Sequence, residues 1–280
     1  MKYLLFILTL YGPLSQAKDV VLPGKTRDDY FATLLSQALS YNGKHAYKVR
    51  FIEQDIPKLR AFKLIANNQG LDIIAAGATH ERQALLRPIR IPLLKGLNGW
   101  RIALVREESQ DLFQQHTDWA SFQRLLAGQL LTWSDAKILE HNGVALVKGS
   151  NFAGLFRMLE KQRFDYFPRS ILEIENEYQA HKRHGLIVEP HVVLHYPTAY
   201  YFYVHKDNTK LASDIEAGLE MAIADGQFDR IFNRYYGDVL KFAKLHQRRI
   251  IELQNPLLPD DAPLSRKELW LTQLSVSDQP

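Results

Sequence analysis

Apolar and polar positions along the first third of the chain predict strands and helices in alternation. Residues 20–22 form a short apolar run, residues 47–51 alternate apolar with basic side chains, and residues 71–76 form a mostly apolar run typical of a buried strand. Between these runs, apolar residues recur at the spacing of amphipathic helices. These helix positions are Phe31, Leu34, Leu35, Ala38 and Leu39, and then Leu59, Phe62 and Ala66. The order strand, helix, strand, helix, strand predicts an α/β fold.

The pattern restarts after Pro92 and changes again after Pro197, which predicts two lobes. The block between these prolines has its own strands and helices, and the chain then continues with an aromatic strand and a long amphipathic helix. We interpret this last part as a return to the first lobe. Two crossings, near residues 92–99 and 194–197, would then form a hinge.

We therefore predict the following division of the chain. Lobe 1 is formed by residues 18–95 and 198–237, and lobe 2 by residues 96–197. Each lobe is expected to contain a mixed, mostly parallel sheet flanked by helices. Residues 238–280 begin with scattered basic side chains and become proline-rich, so we expect a tail packed along the outside.

The N-terminus has the pattern of a secretory signal peptide at residues 1–17. A positive start at Lys2 precedes an apolar run at residues 4–10, and a small-x-small signal ends at Ala17. The run is too short to span a membrane. We expect cleavage after Ala17 and a mature chain in the bacterial periplasm.

Composition narrows the possible functions. The chain has 280 residues and no cysteine, which in an exported protein excludes disulfides, a thiolate nucleophile, cysteine-ligated metals and a lipid-modified cysteine. The formal net charge is +4, but Lys and Arg are scattered among nearly as many acids. Because no basic block is interleaved with aromatic residues, we expect no nucleic-acid partner. A monomer that binds a small anionic ligand fits this charge better.

The turn after the buried run at residues 71–76 is the first candidate site. It consists of Gly77, Ala78 and Thr79, and Arg82 follows in the first turn of a predicted helix. A strand end that faces a helix start is where open α/β sheets hold ligands, and free backbone N–H groups beside an arginine favour an anion. The alternative is that Thr79 only caps the helix and Arg82 is solvated.

Motifs of enzymes and metal sites are absent from the sequence. It contains no nucleophile elbow, no glycine-rich phosphate loop and no dinucleotide fingerprint. Its ten histidines form no His-Glu-x-x-His or similar ligand set. We therefore predict no catalytic residue, no metal and no cofactor.

Three segments resemble the bacterial periplasmic solute-binding proteins of the type II fold, in particular the amino-acid-binding group (extracellular solute-binding family 3). They are LDIIAAGATHER, GSNFAGLFRMLEKQRFDYFPRS and YYFYVHKDNTKLASDIEAGLEMAIADGQFDRIFNRYYG. The resemblance extends roughly over residues 20–237. It implies a two-lobed fold with two hinge crossings, and a site in which Arg82 clamps the ligand's carboxylate while Gly77, Ala78 and Thr79 assist.

The second segment departs from the family at Arg169. Family members usually have an aspartate there for the ligand's ammonium group, whereas this chain has Pro168, Arg169 and Ser170. One interpretation is that Arg169 and Ser170 close over a second anionic group of a dicarboxylate or other organic acid. The alternative is that Arg169 pairs with Glu173 or Glu175 and is structural.

A further candidate in lobe 2 is Gln129, which follows Gly128 and precedes Trp133. The loop here would offer backbone N–H groups to a ligand, or it is simply a connection in which Trp133 anchors the core.

Together these features predict a periplasmic solute-binding protein for an ABC-type transporter. It would close around a small, carboxylate-bearing solute such as an amino acid or organic acid, and its partner would be a membrane permease or a receptor. The alternatives are a stand-alone periplasmic sensor or orphan receptor and, less favoured, a dehydratase-like enzyme on the same fold.

Overall fold

The computed structural model describes residues 17–24, 29–43, 46–52 and 56–272, and the apolar runs within them form strands and helices. The predicted signal peptide lies outside the described residues, apart from Ala17. The strands are β1 Lys18–Pro23, β2 Tyr47–Ile52, β3 Ile73–Gly77, β4 Arg87–Ile89, β5 Trp100–Arg106, β6 Leu126–Leu130, β7 Ala145–Gly149, β8 Phe167–Ser170, β9 Leu186–Val188, β10 Val192–His195, β11 Tyr200–Val204 and β12 Arg249–Glu252. The α-helices are α1 Tyr30–Ser40, α2 Lys58–Ala66, α3 His80–Leu85, α4 Trp119–Gln123, α5 Ser134–His141, α6 Phe152–Glu160, α7 Ile174–His181, α8 Thr209–Ala224 and α9 Gln227–Ala243.

Lobe 1 is built on β3, β11 and β4, with β1 and β2 beside them. Strand β11 lies between β3 and β4 and is antiparallel to both, whereas β1 and β2 are parallel. Helices α1, α8 and α9 pack against one another on an apolar core that includes Phe202 and Val204. The alternate residues Tyr201 and Tyr203 point into a second core with Phe62 of α2. The aromatic strand is therefore buried on both faces, with successive side chains on opposite sides.

Lobe 2 is built on the order β12, β10, β5, β8, with β9 also paired to β5. Strands β6 and β7 are parallel and connect to the chain before β8 through a bridge between Ala127 and Tyr166. Both lobes are mixed, as predicted, but most of the described strand pairs are antiparallel rather than parallel. The crossings explain two of these pairs. In lobe 1, β4 leads the chain out and β11 leads it back in; in lobe 2, β5 leads the chain in and β10 leads it out. The two strands of each pair therefore run in opposite directions.

The two crossings between the lobes lie side by side. The first consists of residues 90–99 and the second of residues 196–199, and the Tyr196 N–H donates to the Gly99 carbonyl at 3.1 Å. A Cβ at Gly99 would lie 1.9 Å from the Tyr196 carbonyl oxygen, so this approach requires glycine. The end of β3 and the start of β11 lie beside these crossings, across the cavity from the start of α5.

The C-terminal region differs from the predicted external tail. Helix α9 continues to Ala243, and β12 then pairs in parallel with β10 of lobe 2. Residues 253–272, which we call the C-terminal strap, follow β12 and contribute the buried side chains of Leu253, Leu269 and Leu271. Their proline-rich sequence suggested solvent exposure, but these leucines fill gaps in the cores of both lobes.

A helix that crosses a bilayer must be both long and apolar. None of the described helices combines this length with this composition.

Candidate functional site

A cavity of about 590 Å³ lies between the lobes, beside the two crossings. This volume is within the range of small-molecule sites in proteins. Its walls come from four sources: lobe 1, lobe 2, the crossings and the C-terminal strap. The lining residues are Lys58, Ala76, Gly77, Ala78, Thr79, Arg82, Asn98, Arg101, Thr132, Trp133, Ser134, Asp135, Ile138, Arg169, Ser170, Glu173, Tyr196, Thr198, Ala199, Tyr200, Asn255, Leu257 and Leu258.

The predicted turn forms the lobe 1 wall. Strand β3 ends at Gly77, the Ala78 N–H donates to the Ala199 carbonyl at 2.8 Å, and Thr79 Oγ1 caps α3 by accepting from the Arg82 N–H at 3.3 Å. The Arg82 guanidinium folds back so that Nη1 donates to the Gly77 carbonyl at 2.5 Å. The turn therefore brings together all four lobe 1 residues that the sequence suggested.

Arg82 has no carboxylate partner among the described residues. Its guanidinium lies 5.5 Å from the centre of the Phe62 ring, and among the described residues it donates to one acceptor, the backbone carbonyl of Gly77. The side chain is half-buried. Since a guanidinium has five N–H donors, most of them are free to bind an anion in the cavity.

Lys58 and Tyr200 extend the lobe 1 wall, and neither is among the predicted site residues. Lys58 Nζ donates to Tyr200 Oη at 3.1 Å, and the Tyr200 ring stacks on Phe31 with centroids 5.3 Å apart. Lys58 also lacks a carboxylate partner in the described part of the chain. One feature of the sequence could have indicated Lys58: it stands at a helix start that follows a strand, as Arg82 does, and such positions share one edge of an α/β sheet.

On the lobe 2 wall, Arg169 lines the cavity but already has anionic partners. Its Nε and Nη2 donate to the two carboxylate oxygens of Glu177 at 2.7 and 2.5 Å, and Nη2 also donates to Glu173 at 2.9 Å. Only 5% of its side chain is exposed, and its guanidinium lies 4.4 Å from the Trp133 ring centre. The predicted pairing with Glu173 is present, and Glu177 takes the place suggested for Glu175.

Of the two other lobe 2 residues predicted for the site, Ser170 lines the cavity and Gln129 does not. Ser170 lines the cavity, although its Oγ accepts from the Leu172 N–H at 3.3 Å. Gln129 lies in β6, is 1% exposed, and is not among the lining residues. Its amide nitrogen donates to the Pro168 carbonyl at 3.5 Å. The structure therefore brings Arg169 and Ser170 to the cavity and leaves Gln129 outside its lining.

A buried ion pair closes the hinge side of the cavity. Arg101 Nη2 lies 2.7 Å from the Asp135 carboxylate, and Tyr196 donates its hydroxyl proton to the same carboxylate while accepting from Arg101 Nε. Burial raises the pKa of Tyr196, and the Asp135 charge raises it further. The hydroxyl thus keeps its proton, which the hydrogen bond to Asp135 requires. These three residues are far apart in sequence, and no local motif indicated them.

The cavity walls differ in free charge. Among the described residues, the two cavity-lining cations of lobe 2 and the hinge, Arg169 and Arg101, are each paired with a carboxylate, whereas Lys58 and Arg82 of lobe 1 are not. Glu173 of lobe 2 faces the cavity and is about half exposed. A search of the described residues found no group of three or more potential metal ligands. The arrangement is therefore suited to an organic anion held mainly from lobe 1.

Solved structures of the same fold cover most of this chain. The YCKB protein of Bacillus subtilis aligns with a TM-score of 0.53 at 14% identity, covering 84% of this chain and 96% of that one. The L-cystine solute receptor of Neisseria gonorrhoeae, in its unliganded open conformation, aligns with a TM-score of 0.53 at 15% identity, covering 80% and 94%. A structure from work on glutathione import via GshT and the cystine ABC importer TcyBC of Streptococcus mutans gives a TM-score of 0.52 at 16% identity, covering 79% and 96%.

No family model matches the sequence, and no curated protein matches it. The structural matches nevertheless define the class of fold: this chain has the two-lobed type II periplasmic-binding-protein fold, as its sequence predicted. The structural overlap establishes the fold, whereas sequence identities of 14–16% leave the ligand open.

Proposed function

We propose that this protein is an exported solute-binding protein that holds a small, carboxylate-bearing solute in the cavity between its lobes. The observation that supports this proposal is the position of Arg82, which lines the cavity without a carboxylate partner among the described residues. Charge-assisted hydrogen bonds from such a guanidinium contribute roughly 1.5–3 kcal/mol each when sheltered. Thr79 and Lys58 would lie beside the same carboxylate.

The other end of the solute would face lobe 2. Glu173 offers a carboxylate there, and the charge of Arg169 is offset by Glu177 and Glu173. This arrangement supports a solute with one anionic end and a neutral or cationic other end over a dicarboxylate. An amino acid meets that description, and we propose it as the solute class.

Binding would favour a closed state because the solute contacts both lobes only when they approach. A ligand shifts such an equilibrium by its difference in affinity for the two states. The closed form would then be recognised by a membrane permease of an ABC-type importer. A pull-down with a detergent-solubilised ABC-type permease of the same organism tests that step, and failure to form a complex with solute present would favour a stand-alone sensor.

We expect Arg82→Ala to abolish solute binding while leaving the fold intact. In a thermal-shift screen of residues 18–280 against amino acids and organic acids, a ligand at a hundred times its Kd adds about 2.7 kcal/mol of stability. The parent should show this shift and Arg82→Ala should not. Arg60→Ala, which removes an exposed lobe 1 arginine outside the cavity lining, is the matched control. Binding by Arg82→Ala at parental affinity would refute the assigned site.

A further inference from the structure

The C-terminal strap is fixed to lobe 2 at its start. The Leu253 N–H donates to the His195 carbonyl at 2.7 Å, directly after β12 has paired with β10. Gln254 exchanges two hydrogen bonds of 2.8 Å with the side chain of Asn142, at the end of α5. Asn255 Nδ2 donates to the Pro197 carbonyl of the second crossing at 2.9 Å. These bonds attach the first three strap residues to lobe 2 and to the hinge.

The later part of the strap is fixed to lobe 1. Asp261 binds Arg90 at 2.5 Å and accepts from Gln83 of α3, the helix that contains Arg82. Arg266 makes a two-point ion pair with Glu220 of α8, at 2.5 and 2.9 Å. Strap residues thus bind both the first crossing and the helices of lobe 1, including the helix that presents the anion site.

The end of the strap is held by apolar contacts and by backbone. The Leu271 N–H donates to the Lys95 carbonyl at 2.7 Å, and the Trp270 ring packs so closely on Gly96 that a Cβ there would lie 2.9 Å from it. The change from lobe 2 to lobe 1 therefore occurs between Asn255 and Asp261. Because the chain also passes from α9 of lobe 1 to β12 of lobe 2, the strap is a fourth connection between the lobes.

Two leucines lie where the strap passes from lobe 2 to lobe 1. Leu257 packs against the lobe 2 core that contains Leu253, and Leu258 packs against the lobe 1 core that contains Tyr201. Both line the cavity between the lobes. Asn255 Oδ1 accepts from the Leu257 N–H at 3.0 Å, which holds the turn that separates them.

We propose that the C-terminal strap is an additional hinge crossing, and that Leu257 and Leu258 contact the solute and limit the size of its apolar part. The solute contacts rest on the proposed function, whereas the mechanical role does not. Because the two leucines belong to different cores, movement of the lobes must change the cavity wall between them. The strap then restrains opening and contributes to specificity at the same point.

The mechanical role is tested without a solute. Since the chain has no cysteine, Lys63→Cys in α2 and Lys137→Cys in α5, both at exposed positions, give one spin label on each lobe. A protease site inserted between Pro259 and Asp260 allows the strap to be cut after folding. We expect cutting to lengthen and broaden the distribution of distances between the labels.

The control has the same protease site between Arg183 and His184, in an exposed segment of lobe 2. Cutting there should leave the distances unchanged. If cutting the strap also leaves them unchanged, the strap is not a mechanical crossing. Circular dichroism before and after cutting shows whether each product keeps its fold.

The specificity role is tested with straight-chain amino acids of increasing length, from L-alanine to L-2-aminooctanoate. Leu257→Ala and Leu258→Ala each remove three carbons from the wall, so affinity for the longest probe relative to the shortest should rise about tenfold or more. Leu253→Ala removes the same atoms from a buried strap leucine outside the cavity lining, and should not change this ratio.

An unchanged ratio in both cavity variants would exclude the leucines from the solute site. If the parent protein binds none of these probes, it is the amino-acid class in the proposed function that fails. In that event the distance measurement still decides whether the strap is a crossing.

Discussion

Arg82 and Arg169 are both cavity-lining arginines, and their partners distinguish them. Arg82 donates to a backbone carbonyl and lacks a carboxylate partner in the described part of the chain, whereas Arg169 is buried against Glu177 and Glu173. Two carboxylates already offset the charge of the Arg169 guanidinium, which weakens its attraction for a further anion. Arg82 is thus the stronger candidate for solute binding, and Arg169 for stability.

We expect Arg169→Ala to destabilise the protein by about 3–5 kcal/mol, because it leaves the largely buried Glu177 carboxylate without its partner. Urea denaturation measures this loss directly. Arg157→Ala, at an exposed lobe 2 position, should change stability by less than about 0.5 kcal/mol. A small loss of stability combined with loss of solute binding would instead support the second-anion role for Arg169.

Among the elements, α1 and α8 make the closest contact in lobe 1. A Cβ at Gly218 of α8 would lie 1.9 Å from the Ala38 carbonyl oxygen of α1. Backbone atoms cannot move aside as a flexible side chain does, so the helices must separate to admit a methyl group. This contact supports the core beneath β11, and through it the cavity wall at Tyr200.

Gly218→Ala should therefore lower the free energy of unfolding by about 1–3 kcal/mol or more. Gly237→Ala in α9 is the matched control, since nothing lies within 4 Å of its Cβ position. There the substitution should stabilise the protein by about 0.5–1 kcal/mol, because glycine is unfavourable within a helix. We expect thermal melts to show a lower Tm for Gly218→Ala and a higher Tm for Gly237→Ala. Equal changes in Tm would contradict the packing explanation.

Strand β2 and helix α8 are linked by a titrating pair. Tyr47 donates its hydroxyl proton to Asp214, which also binds Lys210 at 2.8 Å. Burial raises the pKa of Tyr47 from 10.0 to about 12, with Asp214 adding to the rise. Burial also raises the pKa of Asp214, but the bonds from Lys210 and Tyr47 outweigh it and lower this pKa below 3.8.

These shifts fix the pH range in which the pair stabilises the fold. Tyr47, with a raised pKa, contributes fully below pH 10.0 and loses its contribution as pH rises through about 12. Asp214, with a lowered pKa, contributes above pH 3.8 and loses its contribution as pH falls below that value. Tyr47→Phe should thus lower the free energy of unfolding most between these limits, and by less than about 1 kcal/mol because the pair is partly solvated. Thermal melts at several pH values measure this effect as a difference in Tm. A Tm difference independent of pH would contradict this explanation.

For the whole molecule, the N-terminal pattern predicts export. Expressed with residues 1–17 in a Gram-negative bacterium, the chain should appear in the osmotic-shock fraction with an intact mass that begins at Lys18. Leu8→Asp interrupts the apolar run and should keep the protein in the cytoplasm with Met1 or Lys2 at its start. Recovery of the unprocessed parent chain from the cytoplasm alone would contradict the prediction.

Local patterns predicted most of the helices and strands and the turn that lines the cavity in lobe 1, but they missed β6 and β12. Thr79 caps α3 and Arg82 follows in its first turn, so the sequence spacing alone predicted the lobe 1 wall. Lys58 escaped notice because its role depends on β3 and α2 lying side by side. Gln129 is the opposite case: its segment has the composition of a loop, but it lies in β6, where its side chain is buried and does not line the cavity.

The strap and the strand directions required tertiary information. Proline-rich sequence indicates a lack of regular structure and does not show whether the chain is buried or exposed. Leu257 and Leu258 are adjacent, yet they pack in different lobes because the chain changes lobe between them. The two crossings between the lobes account for two of the antiparallel strand pairs, although each βα unit taken locally suggested a parallel sheet.

The sequence by itself determined what depends on neighbouring residues: the periods of strands and helices, the caps, the signal-peptide pattern and the turn at which we propose that an anion binds. The tertiary structure decided what depends on distant pairs, because charge and burial at a site are set by whichever residues meet there. It paired Arg169 with Glu177, left Arg82 without a carboxylate among the described residues, and brought Leu257 and Leu258 into the cavity wall. An arginine's sequence context cannot reveal whether its partner is a solvent molecule, a solute or a buried carboxylate, since that depends on the meeting of remote segments.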